Sequence, residues 1–162
     1  MRVPPLPQTE RERLGALQAS GLLDSEPEER FDRVTRTASR LFEVPIALVS
    51  LIDEHRQWFK SRIGLDTAET PRDVSFCGHA ILDEGILTVE DTQMDPRFAD
   101  NPLVVDGPKI RFYAGCPLHD QDGNAFGTLC IIDSKPRSLG AEEQAALSDL
   151  ARMVEREIQS AA

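Results

Sequence analysis

The chain has 162 residues and a formal net charge of −10, and 40% of its residues are hydrophobic. Such a composition is typical of one globular domain with a buried core, and it excludes a wholly disordered chain. The acidic balance disfavours non-specific binding to nucleic acids and to anionic membranes, because both need a basic surface. No apolar run approaches the roughly 20 residues of a membrane span, and Met1–Gln8 lacks the apolar stretch of a signal peptide. Three cysteines without a pairing pattern then predict a cytoplasmic protein with reduced thiols.

Two helices are predicted before the first strand. Met1–Gln8 contains three prolines and is expected to be a disordered leader. A Ser or Thr followed three residues later by Glu marks a helix start, which places N-caps at Thr9 and Ser25. Gly21 is expected to end the first helix, and Pro45 the second. The apolar stripe of the second helix consists of Phe31, Val34, Ala38, Leu41 and Phe42.

The pattern then changes to that of strands. Ile46–Ile52 is almost continuously apolar, which indicates a central strand covered on both faces. Arg56–Arg62 is its expected hairpin partner, and Ile86–Val89 is a short strand. Ile110–Leu118 and Ala125–Asp133 flank a turn with Asp, Gly and Asn, which predicts a second hairpin. Hairpins imply an antiparallel sheet.

The segments between and after the strands complete the predicted layers. Ser75 is expected to cap a short helix, after a loop at Leu65–Asp73. Asp91–Gly107 is long for a connection, which is typical of a lid or a binding loop. A closing helix runs from Glu142 to Ile158. The predicted fold class is α/β (α+β): a central antiparallel sheet, with the terminal helices on one face and a layer of loops and short helices on the other. A small ligand is expected between the sheet and that layer.

Several motifs occur in an order that carries a family resemblance. They are Phe31-Asp32, Pro45–Asp53, Arg56–Ser61, Gly64-Leu65, Glu69–Arg72, Ser75–His79, Asp91-Thr92, Asp95–Phe98, Asn101–Val104, Ile110–Leu118 and Gly127–Asp133. With them the chain resembles the GAF domain, a small-molecule-sensing relative of the PAS domain. The resemblance implies a leader and short helix at residues 1–27 and a single GAF domain at 28–160. The chain is similar to a subgroup of bacterial GAF domains that is often found at the start of sensor kinases and cyclic-di-GMP enzymes.

The resemblance implies ligand- or redox-dependent signalling rather than catalysis. A ligand that prefers one conformation shifts the population, and the terminal helices would pass this change to a partner. The expected partner is a second copy of the chain, a kinase or a cyclic-di-GMP output domain. Because the chain begins with Met and ends just past the last helix, we expect either a separate output partner or a fragment of a longer sensor. The sequence requires no cofactor and no metal. The alternative to ligand- or redox-dependent signalling is a module used only for dimerisation.

Cys77 permits two interpretations. If Ser75 caps a helix, Cys77 lies in its first turn, where the partial positive charge of the helix lowers a thiol pKa. It would then be a reactive, redox-sensing or cofactor-linking residue that shares a pocket with His79. The favoured interpretation is a packed, buried thiol. Cys116 and Cys130 lie at similar depth on opposing strands and are expected to be neighbouring packed thiols, not a disulfide or a metal site.

Two enzyme or cofactor functions found in GAF proteins are less consistent with this sequence. Some GAF proteins reduce free methionine sulfoxide with pocket cysteines, and this chain also has three. The surrounding motifs differ, and two of the thiols fall in strands, where a resolving cysteine would have to be mobile. Tetrapyrrole attachment is disfavoured because aromatic residues are few and His79 does not directly follow Cys77.

The predicted ligand pocket draws on both the strands and the long loop. Its proposed lining is Trp58, Phe76, Cys77, His79, Asp91, Asp95, Arg97, Phe98, Arg111, Tyr113 and Cys116. Arg97 or Arg111 would hold an anionic ligand, because a guanidinium offers a two-pronged set of donors. The favoured alternative has Asp95 capping a short helix and Arg97 pairing with a carboxylate. Strand alternation places Phe112 and Tyr113 on opposite faces of the sheet.

Overall fold

The computed structural model describes residues 1–160. The helices are α1 (Glu10–Ala19), α2 (Glu29–Phe42), α3 (Cys77–Ala80), α4 (Pro102–Val105) and α5 (Ala141–Ser160). The strands are β1 (Ile46–Ile52), β2 (Arg56–Ile63), β3 (Glu69–Pro71), β4 (Leu87–Val89), β5 (Phe112–His119) and β6 (Ala125–Asp133). Short 3₁₀ turns occupy Arg72–Val74 and Thr92–Met94. No helix within the described residues has both the length and the apolar character needed to cross a bilayer.

The strands form one sheet in the order β3-β2-β1-β6-β5-β4, and every pairing is antiparallel. This confirms the predicted fold class and both predicted hairpins. β1 lies at the centre, and all seven of its residues are buried. β6 approaches β1 so closely that a Cβ at Gly127 would overlap the carbonyl oxygen of Ser50. Glycine is therefore needed at this crossing, because only a residue without a side chain leaves that space free.

Two cores lie on the two faces of the sheet. α1, α2 and α5 cover one face, where Leu17, Phe31 and Val154 pack with Phe112. Residues 65–110, here called the roof, cover the other face, where Tyr113 belongs to a separate core. Phe112 and Tyr113 therefore face opposite sides, as strand alternation predicts.

Neither predicted capping box forms. Thr9 precedes α1, but its side chain accepts no cap hydrogen bond from residues 1–160. Ser25 is not a cap, because α2 begins four residues later and its N-cap position is Glu28. The Ser25 hydroxyl instead accepts a hydrogen bond from the buried ammonium of Lys60 (2.7 Å). A buried charge needs such oxygen partners, and this tertiary demand outweighs the local capping signal.

Two further expectations about the helical layer are wrong. The leader is not disordered: Pro4 is buried, and a Cβ at Gly78 would lie 2.9 Å from its ring. The carbonyl oxygen of Arg2 accepts a hydrogen bond from His79 Nε2 (3.1 Å). The N–H of Arg2 donates to the carbonyl oxygen of Arg97 in the roof. The ring of Pro4 thus packs on α3. On α2, Leu41 is 56% exposed, so this member of the predicted apolar stripe is not part of the core.

The roof is more regular than the predicted loops. The expected loop at Leu65–Asp73 contains the edge strand β3 and a 3₁₀ turn. The predicted binding loop contains α4, which Asn101 caps by accepting from the N–H of Leu103 (2.9 Å). Asp95 accepts from the N–H of Arg97 (2.9 Å), as a cap does, yet it closes only a turn. The roof is therefore a packed layer rather than an open lid.

Candidate functional site

A cavity of about 300 Å³ lies between the sheet and the roof. Its walls come from β1, β2, β5 and β6 on the sheet side and from the roof on the other side. They are Ile46, Leu48, Gln57, Phe59, Leu65, Thr67, Thr70, Phe76, Cys77, Leu103, Gly107, Pro108, Ile110, Tyr113, Cys130 and Ile132. Thr67 and Gly107 are exposed, so they mark the side of the cavity that faces solvent. A concave, mostly apolar space of this volume is typical of small-molecule sites.

The polar groups of the cavity are few, and one of them is incompletely satisfied. Gln57 is 5% exposed, and its Nε2 donates to the Thr70 hydroxyl (3.0 Å). Its Oε1 is buried and has no hydrogen-bond partner among residues 1–160. Buried polar atoms nearly always have partners, so an exception requires an explanation.

Cys77 lies at the centre of a polar cluster beside the cavity. Its sulfur accepts hydrogen bonds from the hydroxyl groups of Tyr113 (3.1 Å) and Thr128 (3.0 Å). The sulfur of Cys130 lies 3.9 Å away. Burial raises the pKa of the Cys77 thiol, but hydrogen bonds from these neighbours outweigh burial and lower the pKa to about 7. This lowering does not come from the helix terminus that the sequence suggested, since α3 has only four residues and side-chain donors account for the shift.

The two other titratable groups of this cluster keep their protons. Burial, followed by the negative charge of a Cys77 thiolate, raises the pKa of the Tyr113 phenol well above its ordinary value. Burial, followed by the hydrogen bond to Cys77, does the same for the Cys130 thiol. Cys77 is therefore the group of this cluster that loses its proton most readily, and the hydroxyl groups of Tyr113 and Thr128 donate to its sulfur.

A glycine allows Tyr113 to reach Cys77. Gly115 follows Tyr113 by two positions on β5, so both residues point to the same face of the sheet. A Cβ at Gly115 would overlap the hydroxyl oxygen of Tyr113. The phenol ring thus lies along its own strand over Gly115, and its hydroxyl group ends at the thiol.

The structure brings together only part of the predicted pocket. Phe76, Cys77 and Tyr113 line the cavity. Phe98 stacks on the far side of Phe76, with ring centroids 4.1 Å apart. His79 meets the edge of the Phe98 ring and is occupied by the leader, so it lies behind the cavity wall.

Two of the predicted pocket residues lie on the opposite face of the sheet. Trp58 belongs to the core under the helices. Cys116 belongs to the same core, and its sulfur lies 3.7 Å from a guanidinium nitrogen of Arg152. Burial raises the pKa of the Cys116 thiol, which opposes any reactivity there.

The predicted charged residues stabilise the roof from outside the cavity. Asp91 accepts from the N–H of Gln93 (3.1 Å), which caps the 3₁₀ turn. Asp95 and Arg97 form an ion pair of 2.7 Å, as the alternative interpretation predicted. Arg111 donates to the carbonyl oxygen of Val104 (2.9 Å). Neither arginine faces the cavity.

Cys116 and Cys130 lie at similar depth on paired strands and are packed thiols, as predicted, but their side chains are not neighbours. β5 and β6 pair Gly115 with Cys130 and Cys116 with Leu129. The two cysteines therefore occupy adjacent positions but point to opposite faces. Cys130 has Cys77 as its neighbour instead, and all three cysteines are free thiols within the described chain.

Sequence reasoning missed several cavity residues, Gln57 above all. The available signal was alternation along β2, where Gln57 and Trp58 must face opposite sides. Trp58 is the single tryptophan of the chain, but the adjacent Gln57 lines the cavity. Alternation along β6 also identifies Cys130 as a residue of the roof face. It lies two positions before Ile132, and both belong to the core under the roof.

A cluster of charged residues links the roof to α1. The carboxylate of Glu10 binds Arg72 of the roof (2.7 Å) and Arg13 of α1 (3.0 Å). Both arginines are buried, and Arg72 also donates to the carbonyl oxygen of Asp53 (3.1 Å). Burial raises the pKa of Glu10, but the hydrogen bonds from the arginines outweigh it and lower the pKa to about 2.

These features define a class of protein: a small α/β module, in which a roofed sheet encloses a cavity and terminal helices pack on the opposite face. The chain belongs to the GAF domain family, whose match extends over residues 26–158.

A bacterial enzyme contains a segment similar to this chain. A cyclic di-GMP phosphodiesterase from Pseudomonas aeruginosa is 46% identical over 155 residues, which cover 95% of this chain and 26% of the relative. The chain thus spans about a quarter of that protein.

Solved structures with low sequence identity share the fold. A free methionine-R-sulfoxide reductase from Neisseria meningitidis, crystallised with its substrate, has a TM-score of 0.64 at 19% identity, covering 99% of this chain and 97% of that one. The cyanobacteriochrome receptor PixJ has a TM-score of 0.65 at 18% identity, covering 91% and 97%.

Proposed function

We propose that this domain senses a small molecule bound in the cavity and passes the bound state to a signalling output through its terminal helices. The roofed cavity of about 300 Å³ carries this proposal. The output that we propose is a cyclic-di-GMP enzyme, because the phosphodiesterase relative has a similar domain in a longer chain. We assign residues 28–160 to the sensory domain and residues 1–27 to a leader and helix that cover it.

The charged cluster around Glu10 supports this route of communication. Arg72 is five residues before Cys77 in the roof, and its guanidinium binds Glu10 of α1. A ligand that prefers one arrangement of the roof shifts the population of that arrangement. Because two buried arginines share one carboxylate, a displaced roof also disturbs α1.

The proposed partner surface is the outer side of the helical layer. Leu41 of α2 is 56% exposed and Met153 of α5 is 48% exposed. A second copy of the chain, or an output domain, would cover these apolar side chains. The buried free thiols are consistent with the reducing cytoplasm that we propose as the location.

Native mass spectrometry of the freshly purified chain tests the function. We expect a dimer in which each chain carries one bound small molecule. Leu103→Trp places a large ring in the cavity wall and should remove the adduct, whereas Met94→Trp, at an exposed residue outside the cavity lining, should retain it. An adduct-free wild-type protein, both as purified and after incubation with a metabolite extract, would contradict sensing and favour a module for dimerisation alone.

Methionine sulfoxide reduction is the second candidate function, because the sulfur atoms of Cys77 and Cys130 lie only 3.9 Å apart. In that reaction the two thiols would give a disulfide while the sulfoxide oxygen leaves as water, and an added dithiol would regenerate them. However, no Lys, Arg, Asp or Glu of the described chain lines the cavity to pair with the amino and carboxylate groups of a free amino acid. Turnover that is lost in Cys77→Ser would establish the enzyme, and absence of turnover would exclude it.

A further inference from the structure

We propose that the cavity is specific for a neutral, largely apolar molecule of one or two rings that donates one N–H or O–H hydrogen bond to Oε1 of Gln57. This inference rests on the proposed sensory function and specifies the chemical class of its ligand. Three properties of the cavity support it: an unused acceptor, the absence of Lys, Arg, Asp and Glu from the described walls, and the available volume.

The unused acceptor is fixed in place. Gln57 lies on β2, where alternation turns its side chain toward the roof and Trp58 toward the helices. Its Nε2 is held by the Thr70 hydroxyl of β3 (3.0 Å). The remaining Oε1 is buried and unpartnered within residues 1–160. A ligand that donates to this oxygen removes the penalty of a buried polar atom without a hydrogen bond.

The hydroxyl groups that contact Cys77 are already occupied. The hydroxyl groups of Tyr113 and Thr128 donate to Cys77. A ligand acceptor would have to compete with the thiolate for these donors, whereas a ligand donor finds Gln57 free. The cavity therefore selects for a donor.

The charge of the surroundings selects for a neutral molecule. No Lys, Arg, Asp or Glu of the described chain lines the cavity. The nearby Arg97 and Arg111 are engaged in the roof, with Asp95 and with backbone carbonyl oxygens. Burying an unpaired charge is strongly unfavourable, and no Lys, Arg, Asp or Glu of the described walls could pair with one. Carboxylates, phosphates and zwitterions are thus disfavoured.

The volume and the walls limit the size of the molecule. An apolar cavity of roughly 150 Å³ accommodates benzene, and this cavity has about 300 Å³. Aromatic rings from Phe59, Phe76 and Tyr113 face aliphatic side chains across it. One or two rings fit this space, with an edge that carries the donor toward Gln57.

Isothermal titration calorimetry with three naphthalenes tests the inference. The probes are 2-naphthol, which donates an O–H; 2-methoxynaphthalene, in which the donor is blocked; and 2-naphthoate, which is charged. We expect the wild-type protein to bind 2-naphthol about tenfold more tightly than 2-methoxynaphthalene, and 2-naphthoate most weakly. Gln57→Leu should abolish the preference for the donor, and the exposed Gln93→Leu should preserve it.

The possible results separate this inference from the sensory function. Equal binding of the naphthol and its methyl ether, tighter binding of 2-naphthoate, or an unchanged preference in Gln57→Leu would each overturn the ligand class. An adduct in native mass spectrometry together with no binding of any naphthalene would also overturn it, yet would leave the sensory function supported. The comparison of probes on the wild-type protein is decisive even if Gln57→Leu does not fold.

Discussion

The hydroxyl group of Tyr113 lies 3.1 Å from the sulfur of Cys77, and it connects the sheet to the roof. Tyr113 belongs to β5, whereas Cys77 opens α3 in the roof. With the hydroxyl group of Thr128 on β6 (3.0 Å), two strands hold one roof residue. The ionisation of Cys77 therefore reports whether the roof is seated on the sheet.

The first prediction concerns this thiol. Because donors to the sulfur favour the thiolate, ultraviolet absorbance of the thiolate should show a transition near pH 7, the pKa given by the geometry. Tyr113→Phe should move the midpoint upward, since one donor is lost. Cys77→Ser should abolish the transition and Cys116→Ser should retain it. A midpoint at or above the ordinary thiol value of about 8.5 would contradict the assignment.

The second prediction follows from linkage. A thiol with a pKa lowered from 9.0 to about 7 in the folded state binds fewer protons there than in the unfolded chain. Its stabilisation is therefore full above pH 9 and is lost as the pH falls toward 7. From pH 7 to pH 9 the free energy of unfolding of the wild type should rise relative to Cys77→Ser by on the order of 2 kcal/mol. If the free energies of unfolding of the two proteins, measured with urea, change equally between pH 7 and pH 9, the prediction is wrong.

The third prediction concerns Glu10. Glu10→Gln leaves Arg13 and Arg72 buried without a carboxylate, so it should lower the free energy of unfolding by about 3 kcal/mol. The exposed Glu12→Gln on the same helix serves as the matched control. Because the pKa of Glu10 is lowered from 4.5 to about 2, its stabilisation is present above pH 4.5 and is lost as the pH falls toward 2. Equal urea midpoints for the two variants would show that the cluster contributes nothing.

The fourth prediction concerns Gly115. Gly115→Ala forces the phenol of Tyr113 away from Cys77, because the new methyl group would occupy the place of the hydroxyl oxygen. Overpacking of this kind should cost about 1–3 kcal/mol of stability and should raise the pKa of Cys77. Gly85→Ala is the control, since a Cβ there meets open space. If both alanine variants titrate like the wild type, the ring does not depend on Gly115.

The part of the fold that depends on local pattern was predictable. The continuous apolar run of β1 and the alternation of Phe112 and Tyr113 follow from the two-residue period of a strand. The family motifs identified the GAF domain, and the match over residues 26–158 confirms it.

The part that depends on tertiary partners was not predictable. Ser25 carries a capping signal, yet the buried ammonium of Lys60 takes its hydroxyl oxygen (2.7 Å). Pro4 belongs to a segment typical of disorder, yet it packs on α3. Gln57 was not predicted to line the cavity, because a polar residue in a strand is usually assigned to a solvated face. Only the cover supplied by the roof turns that face into a site.

A crystal structure of the chain with 2-naphthol would test the central claim most directly, because it locates the ligand and its donor together. We predict electron density between the sheet and the roof, with the naphthol oxygen within hydrogen-bonding distance of Gln57 Oε1. Density only on the outer surface, or a cavity filled by repacked side chains, would contradict the account.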